Sequence, residues 1–305
     1  MYDLIVVGGG PAGMTAALYA RRNGKTVLVI EKSGFGGQIT HSPKVENYPG
    51  TQQMSGNEFA DRFLDQILAQ EAEIEFEKVT TVRDCGEYKV VETEEGGRYE
   101  ALTVILATGV KHRMLGLEGE NELVGDGISF CAVCDGDFYT GKTVCVAGGG
   151  NSALQEAILL AEKSREVIIL QDLPALTGEQ RLQDVLAGRD NVRVICNCRI
   201  DSLVSTGGSL KGVEISDRTT GEKQTVSCDG LFVAIGLIPE NEPFRELADL
   251  NTWGYFDSDE RCLTKTPGVF VAGDCRSKQI RQLTTAAADG AVAALAACRY
   301  INERK

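Results

Sequence analysis

The 305-residue chain is longer than a usual single domain of about 100 to 200 residues, so its length predicts two domains. Hydrophobic residues make up 43% and charged residues 25%, as in soluble globular proteins, and no apolar run approaches the roughly 20 residues of a membrane helix. The net charge of -13 disfavours nucleic acid and anionic membranes as partners. The chain starts directly on a strand-like segment without a secretory signal, so we expect a cytoplasmic protein.

A strand, a glycine-rich turn and a helix open the chain and recur near its middle. A strand over residues 4–7 leads into a turn at 8–13, a helix over 14–22 and a second strand over 26–30. A strand over 143–147 leads into a turn at 148–153, a helix and a strand over 166–170. Each unit reads as β-α-β with a parallel sheet. The sequence therefore predicts an α/β fold with two Rossmann-like domains.

The end of the chain resumes the first pattern. Strand-like segments cover residues 230–236 and 268–274, and an Ala-rich helix covers 284–299. The later strand and the helix are expected to return to the first domain. We therefore predict a first domain over 1–112 and 243–305, and an inserted second domain over 113–242.

The first turn carries a dinucleotide fingerprint. Gly8, Gly10 and Gly13 have the G-x-G-x-x-G spacing between a strand and a helix, and Glu31 follows at the end of the second strand. The glycines permit a tight turn, close approach of a pyrophosphate and close packing of the helix on the strand. Glu31 is placed to accept from ribose hydroxyls, so we predict a bound dinucleotide.

Cys131 and Cys134 form a CxxC pair followed by Asp135. In a cytosolic protein this spacing is typical of a redox pair or of half a zinc site. Zinc would need two more ligands, for which Cys196 and Cys198 are the nearest candidates, sharing one face if they lie on one strand. That alternative stays open. We favour the redox pair and no metal, because the pair lies within a nucleotide-binding framework, with Asp135 as proton donor or acceptor.

These motifs together resemble the low-molecular-weight thioredoxin reductases over essentially the whole chain. The resemblance rests on Gly8–Gly13, Gly36-Gly37-Gln38, Glu46-Asn47-Tyr48-Pro49-Gly50, Ala107-Thr108-Gly109, Cys131-x-x-Cys134-Asp135-Gly136, and Gly273-Asp274 with Arg281-Gln282, all in the family's order. It implies bound FAD, a homodimer, and a rotation between the domains that brings the dithiol first to the flavin and then to a partner protein. It also implies that Cys134 faces the flavin and that Cys131 attacks the partner disulfide.

The same resemblance assigns the FAD-binding residues. The expected set is Gly8, Gly10, Pro11, Ala12, Gly13, Glu31, Lys32, Gly37, Gln38, Asn47, Val79, Ala107, Thr108, Gly109, Gly273, Asp274, Gln282 and Leu283.

The second nucleotide turn departs from the family. Gly148 and Gly150 keep the turn, with Ala153 at the third position, but the next strand ends in Gln171-Asp172, where NADPH-dependent members carry a His-Arg-Arg-type cluster. A 2′-phosphate calls for Arg or Lys, and Asp172 would repel it, so we expect weak NADPH binding. NADH remains an alternative, because an acid near this place can accept from a 2′-hydroxyl. In its lost nucleotide motif the chain is similar to the ferredoxin-dependent flavin thioredoxin reductases, which makes reduced ferredoxin the favoured donor.

The sequence thus predicts a flavin-dependent reductase that passes two electrons from FAD to the Cys131–Cys134 pair and on to thioredoxin or a thioredoxin-like protein. Three alternatives remain: an NAD(P)H-dependent thioredoxin reductase, a dithiol oxidase that uses oxygen, and a flavin-bound redox sensor without turnover.

Overall fold

The chain divides into two units in the computed structural model, which describes residues 1–42 and 45–304. Unit 1 comprises Met1–Lys111 and the chain from Ile238 onward, and unit 2 comprises His112–Leu237. The strands are, in chain order, β1 Tyr2–Val7, β2 Val27–Ile30, β3 Glu73–Glu75, β4 Val79–Asp84, β5 Lys89–Thr93, β6 Arg98–Leu106, β7 Val110–His112, β8 Ile128–Ser129, β9 Thr143–Ala147, β10 Glu166–Leu170, β11 Val192–Ile195, β12 Cys198–Thr206, β13 Ser209–Asp217, β14 Lys223–Ser227, β15 Gly230–Val233, β16 Leu237–Pro239 and β17 Val269–Val271.

The helices differ widely in length. They are α1 Pro11–Arg22, α2 Gly56–Leu68, α3 Glu120–Leu123, α4 Ala132–Asp135, α5 Asn151–Ala161, α6 Gln180–Ala187 and α7 Leu283–Asn302. Short 3₁₀ segments cover Gly37–His41, Gly136–Tyr139, Glu242–Phe244 and Gly273–Cys275. No helix in the described ranges is both long and apolar enough to cross a membrane.

The sheet of unit 1 combines a parallel and an antiparallel part. Its strand order is β3-β2-β1-β6-β5-β4, with β17 also paired to β6. β1 is parallel to β2 and β6, and β17 is parallel to β6, whereas β5 and β4 continue the sheet in antiparallel fashion. β2 and β17 are buried along their whole length, and β1 is buried over residues 4–7, as expected for parallel strands covered on both faces.

Helices α1 and α7 pack together in the core of unit 1. Gly290 on α7 allows this close approach, because a Cβ there would lie 2.1 Å from the carbonyl oxygen of Ala12. Runs of alanine on both helices present small side chains to the contact, which is typical of closely packed helices.

Unit 2 has a parallel sheet and a smaller antiparallel one. The parallel order is β11-β10-β9-β15-β8, and the antiparallel order is β12-β13-β14. A continuous apolar cluster lies on each side of β9, one of them including α5. The predicted fold class, α/β with two Rossmann-like domains, is confirmed.

One local expectation was wrong. Cys196 and Cys198 do not share a strand, because β11 ends at Ile195 and β12 begins at Cys198. Between them Asn197 has a φ of 56°, in the left-handed region, which breaks the alternation of a strand. The two thiols therefore lack the common strand face that a metal site there would have used.

Candidate active site

The first glycine-rich turn lies at the carboxyl edge of the parallel strands of unit 1. Gly8 N–H donates to the carbonyl oxygen of Ile30, at the end of β2. Ala107, just after β6, donates to Val7, and Ala272, just after β17, donates to Leu106. The ends of four parallel strands therefore meet around this turn, which is where open α/β sheets bind their ligands.

Two glycines of the turn are required by close backbone contacts. Gly8 has a φ of 109°, and a Cβ there would lie 2.3 Å from the carbonyl oxygen of Ala107. A Cβ at Gly13 would lie 1.9 Å from the carbonyl oxygen of Gly8. No side chain fits at either distance, so both residues set how closely α1 approaches the sheet.

Gly10 is different, because a Cβ there would meet no atom within 4 Å. Gly37 faces it, with its ideal Cβ 3.4 Å from the Gly10 Cα. Beside them Glu31 is buried and accepts from the Gly9 N–H at 2.6 Å and from the Ser33 N–H at 3.0 Å. Open space at the start of a helix, next to a fixed carboxylate, is the arrangement that admits a pyrophosphate and its ribose.

The Asp274 carboxyl group is the clearest sign of a ligand-binding site in unit 1. Its Oδ1 atom is buried and has no hydrogen-bond partner among the residues that the structure describes. Burial raises the pKa of Asp274 to about 6, although Lys278 and Arg281 lower it. A buried unsatisfied oxygen in a folded protein calls for a partner, and a ligand hydroxyl would supply one.

The predicted FAD-binding residues fall in separate segments of unit 1. They are the first turn and the start of α1 (Gly8, Gly10, Pro11, Ala12, Gly13), the segment after β2 (Glu31, Lys32), the first 3₁₀ segment (Gly37, Gln38), the loop at Asn47, the start of β4 (Val79), the segment after β6 (Ala107, Thr108, Gly109), the 3₁₀ segment after β17 (Gly273, Asp274), and the start of α7 (Gln282, Leu283).

Several of these segments touch one another. An ideal Cβ at Gly273 would lie 2.7 Å from the Ala12 Cβ, and the Asn47 amide donates to Gln282 at 3.4 Å. Val79 begins β4, four residues after Glu75, whose carbonyl oxygen accepts from the Glu31 N–H at 2.9 Å. The residues around the first turn suit FAD: the glycines would lie at the pyrophosphate, Glu31 at a ribose and Asp274 at a ligand hydroxyl.

The dithiol pair of unit 2 is a disulfide at the end of β8. Cys131 and Cys134 are bonded, with their Cα atoms 5.3 Å apart, and both residues are partly buried. Cys131 precedes α4, and its Sγ accepts from the Cys134 N–H at 3.1 Å. Val133, between the two cysteines, is 55% exposed, so this turn is open to a protein partner on one side.

Two carboxyl groups flank the disulfide. Asp135 Oδ2 accepts from the Ser129 hydroxyl at 2.6 Å, and that hydroxyl in turn accepts from the Cys131 N–H at 3.2 Å. Glu156, on α5, accepts from the Ala132 N–H. Burial raises the pKa of Asp135, against the effect of Ser129, and raises the pKa of Glu156 to about 7, with a further increase from the charge of Asp135.

The second glycine-rich turn repeats the geometry of the first. Gly148 has a φ of 120° and donates to Leu170 at the end of β10, and Gln171 packs against Gly149 as Glu31 does against Gly9. A later segment hydrogen-bonds to each turn. In unit 1 the Gly36 N–H donates to the carbonyl oxygen of Gly9, and in unit 2 the N–H groups of Thr177 and Gly178 donate to that of Gly149.

The surroundings of this second turn are nevertheless acidic. Glu179 is tied to Asn151, the first residue of α5: its N–H donates to the Asn151 side chain at 2.7 Å, and its carboxylate accepts from it at 3.1 Å. The Asp172 carboxylate is exposed and paired with Arg218 at 3.3 Å. The expected Asp172 charge is thus present, but a cation that the sequence did not indicate lies beside it.

Sequence reasoning missed three further residues that hold these sites together. Asp289, on α7, accepts from the Gly273 N–H and pairs with Arg276 and Lys278, so it fixes the turn before Asp274. Asn241 is fully buried and accepts from the Thr108 hydroxyl. Glu156 is the third. Each of the three contacts residues that are distant in sequence, and none belongs to a motif. The one sequence signal near Glu156 is the second glycine-rich turn, which precedes its helix.

Comparisons with known proteins agree with this geometry. Residues 2–290 match the pyridine nucleotide-disulphide oxidoreductase family. A thioredoxin reductase of Bacillus subtilis is 37% identical over 303 residues, which is 99% of this chain and 96% of that protein. A thioredoxin reductase of Listeria monocytogenes is 38% identical over 305 residues, 100% of this chain and 95% of that protein. The crystal structure of thioredoxin reductase from Streptococcus pyogenes aligns with a TM-score of 0.94 at 36% identity, covering 99% of each chain.

The open space at Gly10 predicts a selective effect on flavin binding. In the Gly10→Ala variant the added methyl group meets no protein atom but occupies the approach to the pyrophosphate, so FAD affinity should fall about tenfold or more with little change in the stability of the flavin-free protein. The measurement is FAD titration of the flavin-free protein. Gly150→Ala, at the same place in the second turn, is the matched control and should keep FAD affinity; equal affinity in both variants would contradict the assignment.

The raised pKa of Asp274 predicts a pH-dependent stability of the flavin-free protein. The folded state favours the neutral form of the Asp274 carboxyl. The stability that this preference contributes is fully present below about pH 4 and is lost as the pH rises through 6. Relative to Asp274→Asn, the wild-type free energy of unfolding should fall by about 2 kcal/mol between those limits. Denaturant titrations at several pH values measure it, with the exposed Asp257→Asn as control. If the free energy of unfolding depended on pH in the same way in the wild-type and Asp274→Asn proteins, the raised pKa of Asp274 would be ruled out.

Proposed function

The chain belongs to the thioredoxin reductases of the pyridine nucleotide-disulphide oxidoreductase family, and on that premise we propose that it uses bound FAD to reduce the disulfide of thioredoxin or a thioredoxin-like protein. The observation that carries the proposal is the Cys131–Cys134 disulfide, held in a short turn beside two carboxyl groups and next to the exposed Val133. FAD bound at the first turn would supply a two-electron donor.

The dithiol reduces its partner through two successive thiol–disulfide exchanges. The Cys131–Cys134 disulfide takes up two electrons and two protons and becomes two thiols. Cys131 loses its proton to solvent and, as thiolate, attacks one sulfur of the partner disulfide; the other sulfur leaves as a partner thiolate, which takes up a proton from solvent. Cys134 then loses its proton and attacks the Cys131 sulfur, which restores the disulfide and releases the second partner thiolate.

Asp135 is the proposed proton acceptor in the resolving step. It follows Cys134 directly in the chain, and the Ser129 hydroxyl joins it to the Cys131 backbone. Because burial raises the pKa of Asp135, this carboxyl is a better proton acceptor than an exposed aspartate would be.

Family membership supports a pyridine nucleotide as the electron donor, and this is the donor that we propose first. The family and the relatives described above give no support to ferredoxin. The second turn keeps the tight geometry of Gly148 and the open Gly150, and Arg218 supplies a cation near the place of a 2′-phosphate.

A second candidate donor is reduced ferredoxin, and one observation favours it. The Glu179 carboxylate is held by Asn151 at the start of α5, where a dinucleotide would place its pyrophosphate. Like charges there, together with Asp172, weaken nucleotide binding. A small electron-carrier protein such as ferredoxin would not need to bind at the second glycine-rich turn.

Substitution of the two cysteines tests the function itself. We expect Cys131→Ser to abolish disulfide reduction, and Cys134→Ser to stop turnover but to accumulate a covalent complex with thioredoxin, because the mixed disulfide can no longer be resolved. Turnover assays and non-reducing electrophoresis measure the two effects. Cys85→Ser, at an exposed free cysteine, is the control and should behave as wild type. Full disulfide reduction by Cys131→Ser would refute the proposal.

The donor is tested by anaerobic titration of the FAD-loaded protein with NADPH, NADH and reduced ferredoxin in turn. With a pyridine nucleotide donor, NADPH or NADH bleaches the flavin, and Gly150→Ala slows this step about tenfold without loss of FAD, because the new methyl group lies at the pyrophosphate position. Bleaching by ferredoxin alone, unchanged in Gly150→Ala, would instead establish the second candidate.

A further inference from the structure

Glu156 contacts the dithiol turn from a different element than Asp135. It lies on α5, which packs against α4, and it accepts a hydrogen bond from the N–H of Ala132, the residue between Cys131 and Val133. Its neighbours on the same helix face, Ala153, Ala157 and Leu160, are buried. A partly buried carboxyl among apolar side chains is costly to keep charged unless it has a task or a partner.

The single hydrogen bond from Ala132 does not compensate for burial. The pKa of Glu156 stands at about 7, raised first by burial and further by the charge of Asp135, while the Ala132 N–H acts in the opposite direction. Asp135 shows the same imbalance, since its Oδ1 atom is buried and has no hydrogen-bond partner within the described residues. The dithiol turn therefore has two carboxyl groups whose burial disfavours their charged forms.

The ionisable groups on the 3₁₀ segment that packs on α5 are paired or neutral. Those on α6, which also packs on α5, are exposed. Asp137, on the 3₁₀ segment that packs on α5, forms an ion pair with Lys163. Tyr139, on the same segment, has its pKa raised to about 12 by burial and by Asp135 and other acidic groups, so it is neutral near pH 7. Among the described residues, the charge that acts on Glu156 is therefore that of Asp135.

We propose that Glu156 is a second working carboxyl group of the dithiol turn, which holds the Ala132 N–H when ionised and, beside Asp135, takes up the proton that Cys134 releases. The inference rests on the proposed function and deepens it. When Cys134 attacks the Cys131 sulfur, its S–H bond breaks, and the proton enters the carboxyl pair; it leaves again to a thiolate of the departing partner. Between turnovers the ionised Glu156 holds the Ala132 N–H and with it the turn.

Glu156→Gln separates this role from simple support of the turn. The amide oxygen can still accept from Ala132, but the ionisable group is lost. After reduction with dithiothreitol, the alkylation rate of the dithiol by iodoacetamide is measured against pH. Because an ionised Glu156 opposes a nearby thiolate, the midpoint in the variant should lie about one pH unit lower than in wild type. The pH profile of thioredoxin reduction should also lose its inflection near pH 7.

Glu162→Gln, at the exposed end of the same helix, is the matched control and should keep both wild-type profiles. If Glu156→Gln does not fold, as judged by circular dichroism and flavin content, Asp135→Asn replaces it in the alkylation assay. Loss of the Asp135 charge lowers the pKa of Glu156, so the Glu156 inflection in that profile should move to lower pH.

If the alkylation rate and the thioredoxin reduction of Glu156→Gln, or the alkylation rate of Asp135→Asn in its place, depended on pH as in wild type, the proposed role of Glu156 would be overturned. The alkylation assay needs neither flavin reduction nor a protein partner. Absence of thioredoxin reduction by the wild-type protein would therefore refute the proposed function, while the alkylation profile would still decide the question of Glu156.

Discussion

The contact between Gly13 and the carbonyl oxygen of Gly8 fixes how α1 meets the sheet. With an ideal Cβ only 1.9 Å from that oxygen, any side chain would push the helix away from β1. The start of α1 would then leave the edge where β2, β6 and β17 also end. Glu31 and Asp274 come from those neighbouring strands, so their positions around a ligand depend on the same close approach.

Local patterns of the sequence were sufficient for the fold class and for the two principal motifs. The alternation of buried strands with helices, and the fixed spacing of the glycines, can both be recognised within about thirty residues of sequence. The spacing of Cys131 and Cys134 favoured a redox pair, with half a zinc site as the open alternative. By contrast, Glu156 meets Ala132 across 24 residues and Asn241 meets Thr108 across 133 residues. No local periodicity encodes such pairs, because they depend on how complete elements pack.

Charge at the second turn shows the same limit. The sequence predicted that Gln171 and Asp172 follow a strand, and in the structure Gln171 packs against Gly149 as Glu31 packs against Gly9. The sequence did not predict that Arg218 lies beside Asp172. Arg218 follows β13 in the antiparallel sheet, and only the folded chain brings it to Asp172. A net effect on a bound phosphate is the sum of both charges, so an argument from Asp172 alone overstates the repulsion.

The discontinuity of unit 1 has a consequence for the order in which the protein is made. β17 pairs with β6, and α7 packs on α1 through Gly290, so the core of unit 1 needs segments that lie more than 160 residues apart in the chain. Unit 2 is a continuous stretch, and all of it is synthesised before β17. Since contacts of high sequence separation form slowly and domains fold as units, the dithiol unit can complete its core while the early strands of unit 1 still lack theirs.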